Sequence, residues 1–223
     1  MIPIKDDIPS STFPYVTISI IIINLLVFIY QISLGLSGEE QFIFRTAAIP
    51  YEITRHVDTV PPSLVPVPFT LITAMFVHGG LLHVGGNMLF LWIFGDNVED
   101  TFGHLKFLVF YIASGIIASL AHIAMEPAST VPMVGASGAI AGVLGAYFIL
   151  FPRAQVKTIV FLLFFVTVAR IPAVIFLGFW FLMQLLSSGY GPAGGIAWYA
   201  HIGGFLAGIA GVFLLRPRRR RRV

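Results

Sequence analysis

Apolar residues in this chain come in long unbroken stretches, not in the short alternating or helical-face patterns of a water-soluble fold. The runs fall at 16–36, 80–97, 105–125, 135–151, 171–188 and 197–215, each bounded by charge, proline or glycine clusters. A helix of roughly 20 apolar residues crosses the hydrocarbon core of a bilayer. The pattern therefore predicts an all-α polytopic membrane protein: a single domain over 16–215 built as a bundle of six transmembrane helices. A segment over 1–15 precedes it and a short tail over 216–223 follows. The opening "MIPIKDDIPSSTFPYV" has no basic stretch and no small-residue cleavage site before the first run, so no removable signal peptide is expected.

Two segments do not fit the run pattern. Between the first two runs, 37–79 carries prolines at 50, 61, 62, 66 and 68, together with the apolar stretch "FTLITAMFVH". Proline disfavours a spanning helix and apolar content favours contact with lipid or bundle, so a large structured loop at the membrane surface is expected. The second segment, "RAQVKTIVFLLFFVTVAR" over 153–170, is apolar enough to span, yet joining it to the next run would bury Arg170 and Pro172 mid-helix. An unpaired arginine at the midplane costs several kcal/mol. This stretch is accordingly placed at an interface, with the fifth helix beginning near Pro172, a residue suited to a first helical turn.

Composition supports the membrane reading: 57% of the 223 residues are hydrophobic and 10% charged, where a soluble domain carries roughly a quarter. The formal charge of +3 does not point to nucleic acid, because six of thirteen basic residues sit in the terminal "RPRRRRRV". Such a cluster after an apolar helix reads as an anchor on anionic lipid. By the positive-inside rule the tail places both termini in the cytoplasm, and Lys5, Lys106, Arg153, Lys157 and Arg170 then fall on the same side, against only Arg45 and Arg55 outside. With no cysteine, disulfides, thiolate metal sites and cysteine nucleophiles are all excluded.

In this topology the second, fourth and sixth helices enter from outside, and each brings polar groups near its entry. The second carries His83 and Asn87 in "HVGGNM", four residues apart and so on one face. The fourth carries Ser137 in "VPMVGASGAIAG", and the sixth His201 in "WYAHIGGFLAG". Gly138 and Gly142, like Gly204 and Gly208, have the small-xxx-small spacing that lets helix backbones approach closely. A lone membrane serine is ordinarily a packing residue; at one depth with an imidazole it becomes a candidate nucleophile with a general base. The Asn87 amide, His83 and the Ser137 N–H are the candidate oxyanion donors. No carboxylate lies at that depth, so the arrangement is a dyad whose histidine is oriented by packing.

At these residues the sequence resembles the rhomboid intramembrane serine proteases. The resemblance rests on "GASGAIAG", "AHIGGFLAG", "HGGLLHVGGNM" and "GDNVEDTFG", which occur in order between about residues 70 and 215. It implies a six-helix rhomboid bundle around a cavity open to the outside, with Ser137 as nucleophile, His201 as base, and Asn87 and His83 at the oxyanion. It also implies single-pass transmembrane proteins as substrates, the lipid bilayer as surroundings, and no cofactor or metal. His78 would be structural or water-retaining, and Glu99 a structural acidic position. The fifth run and the loop "GYGPAGG" would form a lateral gate and a cap. One position departs from the pattern: Ala141 stands where many members carry an aromatic residue stacked on the histidine, so either another ring, from Trp198, Tyr199 or Phe205, supports His201 or the imidazole is less constrained.

Other classes fit less well. A metalloprotease or metal transporter would use His78, His83 and His201, but the chain has no HExxH pair and no intramembrane carboxylate. A transporter would show internal repeats, and none is seen. The stronger rival is a catalytically inactive rhomboid-like factor that binds membrane proteins or serves their quality control.

Overall fold

The computed structural model describes residues 1–162, 165–189 and 197–215. Its body is a bundle of apolar helices: α1 (Tyr15–Ser33), α5 (Leu81–Phe102), α6 (His104–Met125), α7 (Ser137–Leu150), α8 (Ala173–Ser188) and α9 (Trp198–Leu215). Three of these, α1, α6 and α9, are long and apolar enough to cross a membrane. A fourth candidate span combines α5 with the segment over Val67–Phe76, the two meeting at a bend of 81°. Both α7 and α8 are shorter apolar helices.

Helix α7 is the axis of the bundle. Every residue from Ala139 to Tyr147 is buried, which requires small residues wherever another helix crosses. A β-carbon on Gly145 would collide with the Phe205 carbonyl, one on Gly204 with the Gly138 carbonyl, and one on Gly208 with the Gly142 carbonyl. Thus α7 and α9 touch backbone to backbone, in the manner expected of the small-residue spacing. On the other side of α7, a β-carbon at Gly142 would lie 2.5 Å from Ser114 Cβ of α6.

The segment joining α1 to α5 is ordered: α2 (Gly35–Thr46), α3 (Pro50–Arg55), α4 (Thr70–Thr73) and two short 3₁₀ turns. None is a long apolar helix, in keeping with the proline content. The segment is tied to the bundle by the Ala48–Met133 bridge and by Gln31 of α1. The Gln31 side chain donates to the His78 carbonyl at 2.6 Å and accepts the His78 N–H at 3.3 Å.

The departure from an all-α expectation is a three-stranded antiparallel sheet, β1 (Ile2–Lys5), β2 (Gln155–Leu162) and β3 (Phe165–Pro172), in the order β1-β2-β3. It occupies the stretch over 153–170 whose charges argued against a span. Val, Ile and Thr recur there, residues that pack well on a pleated surface, and cross-strand pairing satisfies backbone groups that no helix would. Alternation turns Val156 and Thr158 inward, both fully buried. The chain leaves β3 at Pro172 and enters α8 at Ala173, so the fifth helix does begin at that proline.

At the end of α7 remote from Ser137, carboxylates fasten the N-terminal segment. Glu99 is completely buried and accepts the N–H groups of Val16 and Thr17, at 2.9 and 2.7 Å, in the first turn of α1. Its other contact is His104 Nδ1 at 2.6 Å. A carboxylate at a helix N-terminus satisfies orphan donors and complements the helix dipole. Asp100 accepts from the Ser11 and Thr12 backbone and side chains. Asp6, just after β1, accepts from the Tyr147 hydroxyl and from Asn97 Nδ2. Burial pushes the Asp6 carboxyl up to about 6 despite the Tyr147 bond, with the negative charges of Asp96 and Asp7 adding to the rise. The basic tail over 216–223 and all but the first residue of "GYGPAGG" lie outside the described residues.

Candidate active site

The helices bring the four residues singled out in the sequence to the wall of one cavity of about 630 Å³, which is also lined by Gly79, Phe90 and Trp180. Ser137 is the first residue of α7, so its N–H belongs to the opening turn, where no earlier helical carbonyl can accept it. Its Oγ lies 2.8 Å from His201 Nε2 on α9. That distance is possible because Gly138 and Gly142 of α7 let Gly204 and Gly208 of α9 sit on their carbonyls one and two turns away.

His83 and Asn87 project from α5 toward the loop before Ser137. Gly135 in that loop has φ of 118°, a conformation suited to glycine, and a β-carbon there would lie 2.6 Å from His83 Nε2 and 3.6 Å from Asn87 Nδ2. His83 Nδ1 accepts the Gly79 N–H at 3.3 Å. In a neutral imidazole this leaves the proton on Nε2, the nitrogen facing Gly135. Asn87 is 8% exposed, and its Nδ2 is buried without a hydrogen-bond partner among the described residues. Buried amide groups are rarely left unpaired, and among the described residues no protein group accepts from this one.

His78 takes a different part. It is fully buried, its ring lies edge-on to His83 at 5.0 Å, and its Nε2 accepts the Ala136 N–H at 3.5 Å. It thereby holds the strand of backbone that presents Ser137.

Support for His201 comes partly from where it was sought. Trp198 lies edge-on at 6.1 Å, while Tyr199 faces His122 instead, and Phe205 stacks on Phe181. Two contacts were not foreseen: Trp180 of α8 at 5.9 Å, and Gln184 of α8, whose Oε1 lies 2.8 Å from His201 Nδ1. The signal was available. Gln184 is the one polar side chain in "AVIFLGFWFLMQLL", and a polar residue in so apolar a helix needs a partner.

Together these features define a helical membrane protein carrying a serine–imidazole pair in a cavity of its bundle. The family model of the Rhomboid domain matches residues 67–218, and the chain belongs to the rhomboid family. Among its relatives, the rhomboid protease GluP of Bacillus subtilis is 37% identical over 140 residues, covering 63% of this chain and 25% of that protein. Rhomboid protein 1, mitochondrial, of Saccharomyces cerevisiae is 32% identical over 149 residues, covering 63% of this chain and 40% of that protein. The putative rhomboid protease YdcA of Bacillus subtilis is 39% identical over 77 residues, covering 34% of this chain and 38% of that protein. The matched stretches thus span between a quarter and two-fifths of the length of these relatives.

Proposed function

We propose that this protein is an intramembrane serine endopeptidase that cuts membrane proteins in or near their transmembrane segments through a Ser137–His201 dyad. The observation that carries this reading is the 2.8 Å contact between Ser137 Oγ and His201 Nε2 on the wall of a cavity that also holds an unpartnered amide donor.

Ser137 Oγ attacks the scissile carbonyl while His201 Nε2 takes the hydroxyl proton. The oxygen that becomes negative is met by Asn87 Nδ2, by the Nε2–H of His83 and by the Ser137 N–H, donors whose positions are fixed beforehand. Collapse of the tetrahedral adduct breaks the C–N bond, and His201 returns its proton to the leaving amine. Water then adds to the acyl-serine with His201 again acting as base, and Ser137 leaves with the proton. No cofactor is required.

In this reading the six apolar helices all span. Helix α7, with 14 residues, is only about 21 Å long at 1.5 Å per residue, less than the roughly 30 Å of hydrocarbon. Its first residue therefore starts below the membrane surface, at a depth a transmembrane substrate can reach. Both termini lie in the cytoplasm of a cell whose plasma membrane holds the bundle, and the substrates are single-pass proteins.

The test is cleavage of a single-pass reporter by the purified protein in liposomes, together with labelling by a fluorophosphonate. Ser137→Ala and His201→Ala are each expected to abolish cleavage while the helical circular dichroism is kept, and the probe is expected on Ser137. Unreduced cleavage by Ser137→Ala overturns the mechanism. A wild-type protein that binds the reporter but neither cuts it nor takes the probe is a rhomboid-like binding factor.

A further inference from the structure

We infer that Gln184 is a positioning residue for His201: its side-chain carbonyl holds the imidazole in the Nδ1–H tautomer and ties the base to the seating of α8. The inference rests on the dyad reading above and deepens it.

The hydrogen-bond pattern sets the orientation of the Gln184 amide. Its Nε2 lies 3.1 Å from the Trp180 carbonyl, an acceptor only, so the NH₂ end belongs there. The Oε1 end then faces His201 Nδ1 at 2.8 Å. A carbonyl oxygen cannot donate, so Nδ1 carries the proton and the lone pair is on Nε2, aimed at the Ser137 hydroxyl 2.8 Å away. In serine hydrolases with a triad, a carboxylate fixes this tautomer. Here a neutral amide does so, which suits an apolar site because it adds no buried charge.

Burial along α8 points the same way. From Gly178 to Gly189, Gln184 is the only buried residue, and at 7% exposure it is a polar one. Leu182, Met183, Leu185 and Leu186 around it face outward. This half of the helix meets the bundle through Gln184 on His201, Trp180 beside His201, and Phe181 stacked on Phe205 at 4.5 Å. Displacing α8 outward removes the Nδ1 acceptor, so the base is armed only while α8 is seated.

The variants are Gln184→Met, close in volume but without an acceptor, and Gln184→Glu, which keeps an oxygen at the same reach. Each is compared with wild type by reporter cleavage in liposomes and by ¹⁵N NMR of ring-labelled histidine, with His201→Ala assigning the signal. In wild type the His201 nitrogens are expected to show a protonated Nδ1 and an unprotonated Nε2. Gln184→Met is expected to lower kcat about 10- to 100-fold, part of what a general base contributes, with KM within about twofold, and to give ring shifts averaged between tautomers. Gln184→Glu is expected to restore kcat to within about tenfold and to return the protonated Nδ1. Wild-type kcat in Gln184→Met overturns the inference, as does a loss of rate that leaves the His201 shifts unchanged. Should wild type neither cleave nor take the fluorophosphonate, the dyad reading fails separately, and the histidine shifts of wild type and Gln184→Met still decide whether this bond fixes the tautomer.

Discussion

Gly208 of α9 lies on the carbonyl of Gly142 in α7 with no room for a β-carbon between them. One turn earlier Gly204 is set in the same way on Gly138, directly after Ser137. Backbone contact therefore helps set the distance between Ser137 and His201. Gly208→Ala must push the two helices apart, since the obstacle is main chain and cannot swing away. Overpacking of this kind costs about 1–3 kcal/mol, and a lower Tm is expected together with a disproportionate loss of cleavage. Thermal unfolding in detergent and the reporter assay check this; a variant with the wild-type Tm and rate would show that the contact is not limiting.

Asn87 offers a cleaner separation of chemistry from packing. Its Nδ2 has no partner among the described residues, so truncation sacrifices no hydrogen bond of that nitrogen to them. Asn87→Ala is expected to lower kcat about 100- to 1000-fold, the range for loss of one oxyanion donor, without lowering Tm and without preventing probe attachment at Ser137. An unchanged kcat would remove Asn87 from that role.

Asp6 gives the N-terminal attachment a pH dependence. Its carboxyl titrates near 6 in the folded protein, raised by burial from an ordinary value of 3.8. Between those two values the folded state holds a proton that the unfolded chain has released, so folding binds protons and stability falls as pH rises. The stabilisation is fully present below 3.8 and lost as pH rises through about 6. Asp6→Asn, which can still accept from Tyr147 and Asn97, is expected to flatten this slope and to be no less stable than wild type at pH 7. Tm measured from pH 4 to 7 for both proteins is the check, and parallel curves would contradict the assignment.

The sequence determined the apolar helices closely, because a bilayer solvent leaves few alternatives: long runs without charge become helices, and the breaks fall at proline, glycine and charge. Observed starts at Leu81, Ser137, Ala173 and Trp198 lie within two residues of the runs. It also determined the candidate chemistry, since Ser137, His201, His83 and Asn87 are conspicuous in apolar surroundings, and the glycine spacing showed which faces could approach. Two things were decided only by tertiary structure. The stretch over 153–170 has the composition of a span and the charges of an interface, and its pairing as β2 and β3, with β1 from the far end of the chain, depends on partners that local pattern does not name. The orientation of His201 depends on Gln184 and Trp180, which are distant in sequence and meet the ring only once α8 packs on α9. Periodicity records which side of a helix is apolar; the partner of one polar atom on that side is settled by how the helices cross.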